Sequence, residues 1–454
     1  MKFFVLFSLL ITVASARRPN IILIYMDDMG YGDIGCFGST KNRTPIIDHL
    51  AKEGMRFTDF YVTSGVCTPS RSSLLTGCYP RRINMHVDEN KKWVLFPNAR
   101  KGLNPGETTI AEILRDQGYA TTCIGKWHLG DQPEFLPTKH GFDSYFGIPY
   151  SNDMGRKNIP LPLLRNETVV EAPVAQSPIT LRYTEEAISF IRTNRDKPFF
   201  LYLPHTSVHL PLFPGEGFKG KSNNGKYGDW IEEVDAATGL LLAVLKKEKL
   251  VEDTLIMFTS DNGSNNRNGG SNAPLGGAKG STHEGGMRVP CVMHWPGKIP
   301  AGSTCSEVTS TLDLLPTFAA LAGGKLPAKK IDGHDISDLI FAKPGAKSPH
   351  KAFYYYHTTQ LQAIRSGKWK LVLPQAQKLE GWSGKKKDTP TQLYDLSVDP
   401  GESTNLAEKH PDVVAQLTRF AKEARQDLGD GDHEGNGQRP AGWVDKAKPL
   451  LLDN

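Results

Sequence analysis

Behind Asn20, the residues Ile21 to Met26 form an unbroken apolar run that stops abruptly at Asp27-Asp28. No other feature narrows the possible folds as much. A run without polar alternation suits a strand buried on both faces, the setting of a parallel sheet covered by helices. The design recurs along the chain. Ala120 to Ile124 runs into Gly125-Lys126-Trp127-His128, Phe199 to Leu203 into His205 and His209, and Thr254 to Phe258 into Asp261-Asn262. Helical patterns lie between these runs. Thr109-Ile110-Ala111-Glu112, for example, is a capping box that opens a segment closed by Gly118. Strand and helix therefore alternate, which predicts an α/β fold with a large, mostly parallel sheet flanked by helices. In such sheets ligands bind outside the carboxyl ends of the strands, where this chain concentrates ionisable residues. One polar strand end is an ordinary loop; four together point to a site.

After about residue 350 the texture changes. Phe353 to His357 and Ala363 to Leu373 read as short strands, and Asp412 to Leu428 as a helix. We expect a large unit over 17–350 and a smaller C-terminal α+β unit over 351–454. Lys385-Lys386-Lys387 reads as a solvated loop and 429–437 as a flexible one. At the other end, Lys2, the apolar stretch Phe3 to Val13 and Ala14-Ser15-Ala16 fit a cleaved signal peptide over 1–16, too short for the roughly 20 residues of a bilayer span. Export would make the final compartment periplasmic, extracellular or lysosomal according to host. Without Lys2, 53 of the 54 basic residues remain against 49 acidic ones, a formal charge of +4 that demands no nucleic-acid partner. The six cysteines Cys36, Cys67, Cys78, Cys123, Cys291 and Cys305 could form disulfides in an exported chain, but their pairing is not readable from spacing. Asn42-Arg43-Thr44 and Asn166-Glu167-Thr168 fit the glycosylation pattern.

Cys67-Thr68-Pro69-Ser70-Arg71 is the most specific short motif, and Ser72-Ser73-Leu74-Leu75-Thr76-Gly77 follows it. Pro69 suits a helix first turn, and the residues after it can continue the helix. Cys67 would then sit near a positive helix terminus able to attract an anion. A structural thiol, or a pair with Cys78, is the competing reading. Asp27, Asp28, Asp261 and Asn262 offer oxygen donors of the kind a hard cation requires, although loop and capping duty would also explain them.

Taken together, these motifs resemble the sulfatase family, whose defining element is Cys-x-Pro-Ser-Arg followed by a small-residue and leucine run ending in Thr-Gly. The resemblance runs from Arg18 to at least Leu406. It includes Gly125-Lys126-Trp127-His128-Leu129-Gly130, the segment Gly277 to Gly286 around Lys279, and Leu393-Tyr394-Asp395-Leu396. It implies an alkaline-phosphatase-like fold and hydrolysis of a sulfate ester. It further implies that Cys67 is oxidised to formylglycine, whose hydrate is the nucleophile, so a formylglycine-generating enzyme must act on the chain. Asp27, Asp28, Asp261 and Asn262, together with residue 67, match the family's metal ligands; calcium is the usual occupant, with magnesium the second candidate. Lys126, Ser151, His209 and Lys279 match substrate-binding positions. Arg71 matches the residue that orients the formylglycine, His209 the proton donor to the leaving group, and His128 the base that releases sulfate. His205, His283 and His294 fall outside the matched catalytic set. The arylsulfatase A and N-acetylgalactosamine-6-sulfatase types stand nearest, which favours a sulfated carbohydrate substrate, with pocket walls expected from loops near 84–100, 150–175 and 355–390. The competing readings are a phosphatase or a phosphonate or phosphodiester hydrolase of the same superfamily, and a catalytically silent binder of sulfated glycans.

Overall fold

The computed structural model describes residues 18–380 and 385–452; the expected signal peptide over 1–16 lies outside the described residues. A ten-stranded mixed sheet forms the centre. From one edge to the other its strands are Ser303–Cys305, Met55–Phe57, Cys291–His294, Thr254–Ser260, Asn20–Met26, Phe199–Pro204, Ala120–Ile124, Ser144–Gly147, Leu163–Arg165 and Thr168–Glu171. The five strands from Thr254–Ser260 to Ser144–Gly147 run parallel, with Ile22 in register with both Ile256 and Leu201. Antiparallel pairing enters only toward the edges.

Successive side chains of Asn20–Met26 point to opposite faces, and both faces are dry. Ile22 and Ile24 pack with Tyr183, Ile191, Trp230 and Val234 of the helices Ile179–Thr193 and Gly225–Lys247. Ile21 and Leu23 pack with Leu74, Leu114 and Phe318 of the helices Cys67–Thr76, Ile110–Asp116 and Leu314–Ala322. Each such aliphatic side chain contributes about 1.5–3 kcal/mol on burial, which is why the strand tolerates no polar alternation. The helix Ile110–Asp116 opens as expected: Thr109 Oγ1 accepts the Glu112 N–H at 3.2 Å, and Glu112 Oε2 accepts the Thr109 N–H at 2.8 Å.

The smaller C-terminal domain is a four-stranded antiparallel sheet, Phe353–His357, Gln360–Ser366, Trp369–Val372 and Gln392–Asp395, with the helix Pro411–Leu428 packed on it. Two expectations need correction. The lysine run at 385–387 is not a loop; it lies on the strand Lys385–Thr389, which pairs with Gln375–Glu380 through backbone bonds that a polar composition does not announce. The segment 429–437 is tied down rather than free. The Gly431 N–H reaches Thr359 O at 2.8 Å, the Gly437 N–H reaches Asp427 O at 2.8 Å, and Arg81 Nη2 reaches His433 O at 3.1 Å.

All six cysteines are unpaired. Cys67 opens a helix that ends at Thr76, and Cys78 lies beyond its far end, a helical rise of about 14 Å away, so the competing disulfide is not formed. Asn42 is buried and spends its amide on Asp33 O at 2.8 Å, so this sequon is inaccessible; Asn166 is exposed at a hairpin turn. Among the described residues no helix is long and apolar enough to cross a membrane.

Candidate active site

The five parallel strands end at one pole of the sheet, and each delivers side chains there. Asn20–Met26 delivers Asp27 and Asp28, Thr254–Ser260 delivers Asp261 and Asn262, and Ala120–Ile124 delivers Lys126 and His128. Beyond Phe199–Pro204 comes His209, and beyond Ser144–Gly147 comes Ser151. The turns are tight. Gly125 has φ +134°, and a Cβ there would lie 1.9 Å from Pro204 O, so glycine is required just before Lys126. Asp28 and His128 themselves sit in the left-handed region, at φ +62° and +63°, strain of a kind that concentrates at functional sites.

Cys67 is the first residue of its helix, which ends where Gly77 adopts φ +65° and its N–H reaches Ser73 O at 2.8 Å. That helix end aims its dipole and unpaired N–H groups at the strand-end pole. Cys67 Sγ is 3.5 Å from Asp27 Oδ1. Around it three buried carboxylates and three buried cations interlock. Lys126 Nζ lies 2.6 Å from Asp27 Oδ2, Lys279 Nζ 2.6 Å from Asp28 Oδ1, and Arg71 donates through Nε and Nη2 to Asp261 Oδ2 at 2.9 and 2.7 Å. Arg71 Nη1 also donates to the Lys126 carbonyl at 3.1 Å, so one guanidinium fixes two strand ends.

These contacts set the protonation states. Burial works against Asp27, but Lys126, His209 and Arg71 hold its carboxyl far below the usual range. Burial, with Asp27 adding to it, pushes Asp261 up to about 6. Burial and Asp27 also push the Cys67 thiol well up, so it stays protonated and is a weak nucleophile as it stands. Burial works against the charge on Lys279, but the charge and hydrogen bond of Asp28, with Asp27 and its neighbours, keep its ammonium protonated.

The donor set fits a hard cation. Ligand atoms of Asp27, Asp28, Cys67 and His209 all lie within 4.8 Å of one another. Asn262 is fully buried with Oδ1 lacking any hydrogen bond, while its Nδ2 donates to Asp28 Oδ1 at 2.7 Å. A buried carbonyl oxygen without a donor, beside carboxylates, is the arrangement a divalent ion satisfies.

The two site histidines are held in different tautomers. His128 Nε2 faces Leu95 O at 2.9 Å, and a carbonyl can only accept, so Nε2 carries the hydrogen and Nδ1, which has no partner, keeps its lone pair. His209 Nδ1 faces Leu210 O at 2.6 Å and Asn152 Oδ1 at 3.0 Å, which leaves Nε2, 3.7 Å from Asp28 Oδ2, as its exchanging atom. Ser151 Oγ bridges Lys126 Nζ at 3.2 Å and His209 Nδ1 at 3.4 Å. His205 packs against Tyr183, His283 faces Glu402, and His294 lies on the antiparallel strand Cys291–His294; none of them lines the cleft.

Sequence reasoning missed the grip on the Lys279 loop. Lys370 Nζ, fully buried, reaches Thr282 O at 2.8 Å, Glu284 Oε1 at 3.0 Å and Glu402 Oε1 at 2.8 Å, and Glu402 Oε2 accepts the Glu284 N–H at 2.7 Å. Gln362 Oε1 accepts Thr282 Oγ1–H at 2.8 Å. The same loop is tied to the turn that precedes Cys67 by the Gly280 N–H, 2.8 Å from Gly65 O. The C-terminal sheet thus supports the site from behind, and among the described residues none of 355–390 lines the cleft, which corrects the expectation for that segment. The walls come from Val94, Phe96, Asp153, Met154, Leu210 and the turn around Arg267, enclosing about 590 Å³.

Comparison with known proteins gives a consistent picture. The sulfatase family pattern matches residues 19–324, and that of the C-terminal region of aryl-sulfatase matches 348–445. Arylsulfatase A of Homo sapiens is 40% identical over 453 residues, covering 90% of this chain and 88% of that protein. N-acetylgalactosamine-6-sulfatase of Canis lupus familiaris is 34% identical over 466 residues, covering 92% and 88%. A solved structure from Bacteroides thetaiotaomicron, described under the metabolism of multiple glycosaminoglycans, superposes with TM-score 0.81 at 30% identity, covering 90% of this chain and 100% of that one.

Proposed function

Because the chain belongs to the sulfatase family of sulfuric ester hydrolases, we propose that it removes sulfate from a sulfated carbohydrate, with Cys67 converted to formylglycine as the nucleophilic residue. One observation carries the reading: Cys67 stands at the N-terminal turn of a buried helix, against Asp27 and amid Lys126, Lys279 and Arg71. That environment suits an anion and an oxygen nucleophile, and it suppresses the thiolate an unmodified cysteine would need. Formylglycine, as its hydrate, supplies an oxygen nucleophile for sulfur and a second hydroxyl through which sulfate leaves. Asp27, Asp28, Asp261, Asn262 and residue 67 would hold a divalent cation, calcium before magnesium, which when bound neutralises sulfate oxygens and acidifies the nucleophile.

The remaining work falls to the chain's own side chains. Lys126 and Lys279 bind the sulfate oxygens, their ammonium groups oriented by Asp27, Asp28 and Ser151. Arg71 locks Asp261 and the Lys126 carbonyl in place with a fork that lysine would not reproduce. His209 delivers a proton from Nε2 to the departing alcohol, and Lys279 assists. His128, its Nε2–H committed to Leu95 O, receives a proton at Nδ1 during sulfate release. Export through residues 1–16, maturation by a formylglycine-generating enzyme and a division into 17–350 and 351–454 belong to the same proposal. The relatives named for N-acetylgalactosamine-6-sulfate and glycosaminoglycan metabolism support the carbohydrate assignment.

Side-by-side rates with an aryl sulfate and the matching aryl phosphate test the reading. Sulfate cleavage should dominate. Dominant phosphate cleavage would favour the phosphatase reading, and tight binding of sulfated glycans without any turnover would favour the binder.

A further inference from the structure

We propose that the physiological substrate carries a second anionic group, a carboxylate or another sulfate on the sugar, and that Arg267 receives it. The proposal rests on the sulfatase reading above and extends it to the organic part of the substrate. The cleft encloses about 590 Å³, whereas a sulfate takes the space of a few waters of about 30 Å³ each, so most of the volume belongs to the rest of the molecule.

The lining is divided. At the floor Lys279 is already paired with Asp28, and Lys126, fully buried, with Asp27. Arg267 also lines the cleft, but its guanidinium is exposed and makes no hydrogen bond or ion pair among the described residues. Two other exposed arginines find carboxylates, Arg43 on Glu232 and Arg165 on Glu186, and the exposed Arg156 spends its guanidinium on the Asp153 and Gly155 carbonyls. The backbone that carries Arg267 is well held. Its N–H donates to Asn265 Oδ1 at 2.8 Å, the Gly270 N–H reaches Arg267 O at 3.1 Å, and Asn272 Nδ2 reaches Ser264 O at 2.8 Å. A fixed turn therefore presents an unspent five-donor fork to the cleft, and that fork matches a carboxylate or sulfate bidentately.

Two neighbours add direction. On the wall formed by Phe96, the Lys92 ammonium lies 4.8 Å from the ring centroid and has no carboxylate partner among the described residues, adding positive charge beside an apolar surface suited to a sugar face. From a separate loop, Asp153 lines the cleft, its carboxylate without a partner among the described residues, and it would accept a hydroxyl or amide N–H while repelling an anion. The cleft thus distinguishes one side of the sugar from the other.

The test compares kcat/KM for monosulfated hexosamines with that for the same sugars bearing a second sulfate, and with that for their uronic-acid disaccharides. The second anion should raise kcat/KM about tenfold or more in the natural protein. Arg267→Gln should lower that ratio about tenfold, Arg267→Lys should keep part of it, and Asp153→Asn should raise it. The arm that responds to Arg267→Gln identifies the second group as sulfate or carboxylate. Ratios that Arg267→Gln leaves unchanged, or a natural preference for the singly charged sugars, would overturn the inference. So would cleavage of nitrophenyl sulfate with none of these sugars turned over. Absence of hydrolysis of every sulfate ester would instead defeat the sulfatase reading beneath it.

Discussion

Replacing Lys370 by methionine removes a single ammonium that lies far from the reacting atoms in sequence and yet holds the Lys279 loop. Lys370 is fully buried and bonded to two carboxylates, Glu284 and Glu402, and to the Thr282 carbonyl. Breaking a buried ion pair by removing one partner costs about 3–5 kcal/mol, because a desolvated charge is left uncompensated. Arg365 and Arg288, whose nitrogens lie 3.9 and 3.7 Å from Glu284 Oε2, remain to support Glu284, so the lower part of that range is expected. With a urea m-value of about 3 kcal/mol/M, the unfolding midpoint should fall by roughly 1 M. The loss should also depend on pH. Burial raises Glu284, but Lys370, Arg365 and Arg288 together hold it down to about 2. A carboxylate with a depressed folded pKa contributes stability above its unfolded value near 4.3, and that contribution is lost as pH falls through the folded value. Without Lys370 the depression shrinks, so the gap between variant and natural protein should be widest at pH 7 and narrow as pH drops below about 4. Urea titrations at several pH values measure this directly. A midpoint shift below about 0.3 M at pH 7, or a gap independent of pH, would mean that Lys370 does not hold this network together.

Other consequences are independent of that network. Burial first and Lys279 second lower His209 below the ordinary histidine range, and the proposed donor is the imidazolium, so kcat with a sugar substrate should fall as pH rises through that lowered value. His209→Gln should lose about 10²–10⁴ in kcat on alkyl sulfates, and much less on nitrophenyl sulfate, whose leaving group needs no proton. Calcium at a hundred times its Kd should stabilise the folded protein by about 2.7 kcal/mol, measured as a rise in melting midpoint, and Asp261→Asn should abolish the rise. His350 Nε2 contacts both Asp313 oxygens, at 2.8 and 2.9 Å, and Asp313 raises its pKa against burial. The stability this pair contributes is fully present below about pH 6.5 and lost as pH rises through the folded value; His350→Gln should remove that alkaline decline from a melting series.

The strand ends were legible because a strand covered on both faces must be apolar, so Asp27, Lys126 and Asp261 stand out where the apolar residues stop. The helix at Cys67 was legible through Pro69 and the Ser72-Ser73-Leu74-Leu75 run that can continue it. Ser144–Gly147 was harder to read, being only four residues long and containing a serine and a glycine, so the fifth parallel strand was not read as one and Ser151 entered only by resemblance. Lys370 was hidden for a different reason. On the alternating stretch Trp369-Lys370-Leu371 a lysine reads as solvent-facing, and only tertiary contact with Glu284, 86 residues away, makes it a buried partner. The cleft walls were equally obscure. Nothing local in Ser264-Asn265-Asn266-Arg267 distinguishes a turn at a cleft from one on open surface, and nothing in the lysine run at 385–387 reports backbone pairing with 375–380.

The proposed function requires that residue 67 no longer be a cysteine in the working enzyme. Mass spectrometry of the peptide spanning residue 67, taken from protein purified from its native host and shown to cleave an aryl sulfate, tests it most directly. That peptide should show the mass deficit of conversion to formylglycine, or the mass of its hydrate. An intact cysteine in fully active protein would contradict it.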